Sequence, residues 1–203
     1  MNVIVPFSVW RALLCVLGGY LLGNIQTAII VSKSYYHDDV RNHGSGNAGS
    51  TNMLRVFGVT PGVITFFGDL IKALLSVLLG RFLMGTYGGY LAGLFVIVGH
   101  CYPVFAGFRG GKGVASSFGV AIMVFPLGAA CAIAIGLILL AATKKVSIMS
   151  LSGELVFLLL TIIFRHNDIP LVILMTLICA LVYFRHTDNI KRLLHGEEHA
   201  PIN

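Results

Sequence analysis

The chain has 203 residues, 57% hydrophobic and only 11% charged, with a mean hydropathy of +0.89. Soluble domains carry roughly a quarter charged residues, so an ordinary soluble globule is excluded and an integral membrane protein is expected. The net charge of +6 is explained by the positive-inside rule and by anionic lipid headgroups, with no nucleic acid partner required.

A helix needs roughly 20 apolar residues to cross the hydrocarbon. Taken in order, such runs fall at 4–32, 58–84, 87–106, 114–126, 127–143, 146–164 and 169–185. In the first, the earliest basic residue, Arg11, lies inside the apolar run, which predicts a retained helix and not a cleavable leader. The run 114–126 is too short to cross fully. It could join the next as one long helix, but a hairpin at Pro126-Leu127-Gly128 sorts the charges better. Lys33, Arg41, Arg55, Arg109, Lys112, Lys144, Lys145, Arg185, Lys191 and Arg192 then share one side, against Arg11, Arg81 and Arg165 on the other. The expected fold is an all-α polytopic membrane bundle of about seven segments in a single domain, residues 1–203, with the N-terminus out and the C-terminus cytoplasmic.

Three polar segments interrupt the apolar pattern on the cytoplasmic side of that layout. Residues 37–55 contain Gly44-Ser45-Gly46-Asn47-Ala48-Gly49-Ser50-Thr51-Asn52-Met53-Leu54-Arg55. The glycines free backbone N–H groups to converge, Ser, Thr and Asn add short donors, and Arg55 adds a fixed charge. Such a segment suits a small anion. Residues 99–117 contain His100 and Gly110-Gly111-Lys112-Gly113 just ahead of an apolar helix, where amides and the helix dipole favour an anion. This is not a Walker A loop, because Ala106 stands at its first glycine position and Gly113 follows the lysine. Residues 185–199 contain His186, Asn189, Ile190 and Leu193 on one helical face, with Arg192 and Glu198 beyond. Each segment alone reads as a turn or a topological anchor; together they point to a substrate carrying phosphate or carboxylate.

Other polar residues have plainer readings. Asp69 and Lys72, one turn apart, form a self-neutralising pair or a link to the site. Ser147 and Ser150 are helix caps or phosphate donors, while Glu154 has no evident partner. His37, His195 and His199 read as solvated. Cys15, Cys101, Cys131 and Cys179 lack disulfide or zinc spacing and read as small buried hydrophobes. No metal or other cofactor is expected. No Ser-His-Asp or Cys-His arrangement stands out, and no histidine is followed five positions on by an aspartate.

The patterns GSGNxGxTNxxR, GHxxPxFxxFxGGKGVA and HxxNIxRLxxGxE, in this order, resemble those of the bacterial membrane glycerol-3-phosphate acyltransferases that use acyl phosphate, the PlsY family. The resemblance covers nearly the whole chain. Ala48, Ser50 and Ser116 are mild departures; Asn24 and Gln26 replace the Ser and Pro more usual in the first helix. It implies acyl transfer from acyl phosphate to the 1-hydroxyl of glycerol 3-phosphate, giving lysophosphatidate and phosphate, in the bacterial inner membrane with the site facing the cytoplasm. The enzyme that makes the acyl phosphate is an expected partner.

By motif position and chemistry, the expected catalytic set is Ser45, Arg55, Lys112, Asn189 and His186. Expected binding residues are Gly44, Gly46, Asn47, Thr51, Asn52, His100, Gly110, Gly111, Gly113, Ser147, Ser150, Arg192 and Glu198. Acyl phosphate carries its own good leaving group, so direct transfer with a substrate phosphate accepting the hydroxyl proton is expected. Arg55, Lys112 and the loop amides would hold phosphate, with Ser45, Asn47 and Asn189 orienting the reactants. The rival reading is a transporter of a phosphorylated solute, using the same anion grip and a charged path through Asp69, Lys72 and Glu154.

Overall fold

The computed structural model describes residues 8–198, and among them every regular element is helical. The start of the 4–32 run and His199 lie outside the described residues. In chain order the helices are α1 Val9–Asn24, α2 Thr27–Tyr36, α3 Ser50–Phe57, α4 Val59–Cys101, α5 Val114–Val124, α6 Pro126–Thr143, α7 Val146–Arg165, α8 Ile169–Arg185 and α9 Thr187–Leu194. Four spans among the described residues are long and apolar enough to cross a membrane. A fifth is added if α8 and α9, bent by 61°, count as one.

The longest of these, Val59–Ala106, would measure about 72 Å as a straight helix, more than twice the roughly 30 Å hydrocarbon core. It folds back instead. Met84 and Gly85 leave helical geometry, with Gly85 at φ +63°, where glycine carries no steric penalty. The two arms then pack face to face on small residues. A Cβ on Gly80 would strike the Gly88 backbone, and one on Gly88 would strike that of Gly80. Ser76 Oγ donates to Ala92 O over 2.9 Å. The break falls where the runs 58–84 and 87–106 meet.

Helix α1 lies along both arms, with Gly19 against the Ala92 backbone and Gly23 against Val96 and Gly99. The first run is not one helix. It breaks at Ile25–Gln26, and α2 starts at Thr27. The carbonyls freed by the break find side-chain donors, one local and one distant: Gln26 Nε2 and Lys72 Nζ reach Gly23 O (3.0 and 3.3 Å), and Lys72 Nζ reaches Ile25 O at 2.7 Å.

Helix α5 stops at Phe125, and Pro126 opens α6, as a helix-favouring first-turn proline should. Gly136 packs on Met149 and Gly153 lies beside Ala132, so α6 and α7 run antiparallel. Tyr183 hydroxyl donates to Leu151 O over 3.0 Å, tying α8 to α7. Val96, Ile97, Val120, Met175, Ile178 and Val182 form the centre of the main core, while Phe67, Leu137, Ile163 and Leu177 point outward as lipid-facing residues do. Cys15, Cys101 and Cys179 are buried, but Cys131 is exposed on α6, so the expectation of buried thiols fails there. His37 and His195 are exposed. Each reversal returns the chain to the same end of the bundle, where the three polar segments meet.

Candidate active site

The first polar segment is organised by Asn52. Its Oδ1 accepts from Ser45 N at 2.9 Å, and its Nδ2 donates to Val40 O and His43 O, each at 3.1 Å. One buried amide thereby closes the whole loop. Gly44 and Gly46 sit at φ +57° and +68°, and a Cβ on Gly44 would collide with Asn52. The loop is moored to the second segment by Arg41, whose Nη1 donates to Ala106 O at 2.7 Å while its Nε and Nη2 grip Asp39. That pairing holds the Asp39 carboxyl well below the usual carboxylate range.

In the second segment the glycine loop is built differently from expectation. Gly111 N–H donates to His100 O at 3.1 Å, and the Gly110 and Gly111 carbonyls accept from Arg185. That amide and the two carbonyls hold the loop together. Lys112 alone projects from it into the cavity. Burial, with the Arg192 charge added, pushes the Lys112 ammonium down to about 8.

Lys112 Nζ donates to Asn189 Oδ1. Asn189 Nδ2 in turn donates to Ser147 Oγ at 2.8 Å and to Glu198 Oε1 at 2.6 Å. Ser147 also donates to Glu198, and Arg192 Nε closes the chain on Glu198 Oε2 at 2.7 Å. Burial raises the Glu198 pKa, but the hydrogen bonds from Ser147, Arg192 and Asn189 outweigh it, and the carboxyl is held below its ordinary value. His186 Nδ1 hydrogen-bonds Val182 O at 2.7 Å; a carbonyl only accepts, so Nδ1 carries the proton and Nε2 is left free. Ser147 and Ser150 do not cap α7. Ser150 Oγ donates to Val146 O at 3.0 Å.

Behind these residues lies a buried cluster. Asp69 and Lys72 pair at 2.8 Å and are 2% and 4% exposed at the side chain. Lys72 Nζ also stands 2.9 Å from His100 Nδ1. Asp69 and His100 both line the cavity, so the pair is linked to the site, not merely self-neutralising.

The three segments enclose one cavity of about 410 Å³. Ser45, Arg55, Lys112, Asn189 and His186 all border it, as do Gly44, Asn47, Thr51, Asn52, His100, Gly113, Ser147, Ser150, Arg192 and Glu198. Gly46, Gly110 and Gly111 do not. Gly46 spends its N–H on His43 O and shapes the turn. Sequence reasoning missed Asp69 as a lining residue, and also the convergence of three helix N-termini: Gly49-Ser50-Thr51 of α3, Gly113-Val114-Ala115 of α5 and Val146-Ser147 of α7. Amides and dipoles at such ends attract anions. The sequence signalled the α5 end, through the glycine loop ahead of an apolar run, but not its meeting with the other two. An apolar groove of about 280 Å³ between α5, α6 and α7 adjoins the cavity, sharing Phe66, Val114, Met149 and Ser150 with it.

A family described as glycerol-3-phosphate acyltransferase matches residues 13–196. A glycerol-3-phosphate acyltransferase of Thermoanaerobacter sp. (strain X514) is 44% identical over 187 residues, covering 92% of this chain and 94% of that one. One from Geobacillus kaustophilus (strain HTA426) is 41% identical, covering 91% and 93%. The crystal structure of PlsY (YgiH), an integral membrane glycerol 3-phosphate acyltransferase, in its glycerol 3-phosphate form, superposes with a TM-score of 0.88 at 36% identity, covering 93% and 94%. Its lysophosphatidic acid form gives 0.84 at 34% identity over the same shares. By sequence, fold and extent alike, this chain belongs to the glycerol-3-phosphate acyltransferase family of integral membrane proteins.

Proposed function

We propose that this acyltransferase moves an acyl group from acyl phosphate to the 1-hydroxyl of glycerol 3-phosphate, in a single displacement within the cavity. The observation that carries the reading is the meeting of three helix N-termini with Arg55 and Lys112 around a space that opens into an apolar groove. Two phosphates need that density of positive potential, and an acyl chain needs the groove beside it.

In the displacement, the glycerol oxygen bonds to the acyl carbon and the bond from that carbon to the bridging phosphate oxygen breaks. A phosphate oxygen takes the hydroxyl proton, and inorganic phosphate leaves. No enzyme nucleophile is required. Lys112 and Arg55 stabilise the phosphate charge, with the first amides of α3 and α5 taking the role assigned from sequence to the Gly110 and Gly111 amides. Ser45 and Asn47 orient the glycerol, and Asn189 fixes Lys112. Glu198, Arg192 and Ser147 keep Asn189 in place, and His186 supports Lys112. No cofactor enters this scheme.

The layout we infer has seven crossing elements in one domain: α1 with α2, the two arms of α4, then α5, α6, α7 and α8. The basic loops support an N-terminus outside, with the site and C-terminus on the cytoplasmic side of a bacterial inner membrane. Glycerol 3-phosphate then arrives from the cytosol, and the donor from the membrane or from the enzyme that makes it.

Purified protein given radiolabelled glycerol 3-phosphate and palmitoyl phosphate in detergent should put label into the lipid phase and release phosphate. Label that accumulates only inside sealed vesicles, with no lipid product, would establish the transporter instead.

A further inference from the structure

The apolar groove contains one residue whose chemistry does not match it. Glu154 on α7 borders the groove among Phe118, Ala121, Ala132, Ile133 and Phe157, and it is 8% exposed. No ion-pair partner for it exists among the described residues. The hydroxyl-bearing neighbours have committed their protons elsewhere, and the nearby Cys179 thiol is only a weak donor. Ser117 hydroxyl, within reach of the carboxyl, donates to Gly113 O at 2.9 Å. Tyr183, on the α8 side, donates to Leu151 O at 3.0 Å. The carboxyl therefore faces the groove with hydrogen-bonding capacity to spare. Plain hydrocarbon cannot satisfy it, and leaving such a group unmatched is costly.

Its depth is fixed by the helix. Ser150 borders both the polar cavity and the groove, and Glu154 follows one turn later, about 6 Å along α7. A chain entering from the cavity meets Glu154 early, near its carbonyl end. Resting on the acyl-donor reading above, we propose that Glu154 is a specificity-determining residue for the donor. It favours acyl chains that carry a hydroxyl at its depth over unsubstituted chains of equal length.

The test compares myristoyl phosphate with hydroxymyristoyl phosphates whose hydroxyl is stepped along the first part of the chain. Wild type, Glu154→Gln and Glu154→Leu are assayed in nanodiscs. Wild type and Glu154→Gln should prefer one hydroxyl position. Glu154→Leu should shift the hydroxylated-to-unsubstituted preference by roughly tenfold or more toward the unsubstituted donor. The shift should lie in donor KM and not in kcat, with the KM for glycerol 3-phosphate as the control for folding. A wild type indifferent to hydroxyl position overturns the inference even if Glu154→Leu does not fold. So does one ratio common to all three proteins. A wild type that forms lysophosphatidate from no acyl phosphate overturns the proposed reaction, and the inference with it.

Discussion

The Lys112 ammonium donates to Asn189 Oδ1, so a cation from the glycine loop and an amide from α9 enter the cavity as one unit. Asn189 is also the junction through which Ser147 and Glu198 act. Asn189→Ala frees Lys112 to swing toward Glu198 and out of register with the phosphate. The expected result is a loss of kcat of roughly a hundredfold, the scale of one misplaced charge-stabilising group. Steady-state kinetics at saturating donor and acceptor check it. If Asn189→Ala or Lys112→Ala raised only KM, transition-state stabilisation by this pair would be ruled out.

Burial sets Lys112 at about 8, which fixes the sign of a pH effect. The ammonium is present below that value and is lost as pH rises through it, so kcat/KM should fall on the alkaline side with a midpoint near 8. Bound phosphate favours the charged form, which moves the kcat limb to higher pH than the kcat/KM limb. Lys112→Arg, if active, should remove the limb, because a guanidinium does not titrate there. Stability runs the opposite way: a depressed pKa means the buried charge is unfavourable, and stability is gained as pH rises above about 8. A limb of the same midpoint in Lys112→Arg would assign the titration to another group.

Much of this architecture was legible because it rests on local signals. The arm boundary of α4 is a glycine between apolar runs, and the α5–α6 boundary is a proline; both lie where the hydropathy puts them. The lysine, arginine and amide residues of the site stand out because three such segments fall on one side of the predicted layout, more than topology alone needs. What the sequence hid depends on distant partners. Nothing near Ile25 announces that Lys72, from α4, will satisfy its carbonyl and permit the break after α1. Gly110 and Gly111 look like phosphate-loop residues, yet the Gly111 N–H goes to His100 O and both carbonyls to Arg185. The α3 N-terminus as an anion end depends on Asn52 folding the loop back, which no spacing rule encodes.

Asn52 offers a stability test separate from chemistry. Asn52→Ala removes three hydrogen bonds and leaves Val40 O and His43 O without their side-chain donor. A loss of about 1–3 kcal/mol is expected, with a raised KM for glycerol 3-phosphate because Ser45 and Asn47 lose their placement. Thermal unfolding in detergent gives the first quantity and acceptor titration the second. Asn52→Asp keeps the acceptor for Ser45 N but sets a buried carboxylate against Val40 O and His43 O, and should cost at least as much stability as alanine. An unchanged acceptor KM in Asn52→Ala would mean that Ser45 and Asn47 do not contact the glycerol.

The Asp69–Lys72 pair predicts a non-additive result. Lys72→Met strands a buried carboxylate and strips the donor from Ile25 O, so a loss of about 3–5 kcal/mol is expected. Asp69→Leu alone should be similarly damaging, since Lys72 then keeps its charge with only carbonyls and His100 around it. Replacing both removes the stranded charges together. The double variant should therefore be more stable than the sum of the two single losses, by about 1 kcal/mol or more, within the range measured for residues in contact. Thermal unfolding of the four proteins of the cycle in one detergent measures this directly. Simple additivity would show that the two charges are each solvated independently, and that the cluster does not act as a unit behind the cavity.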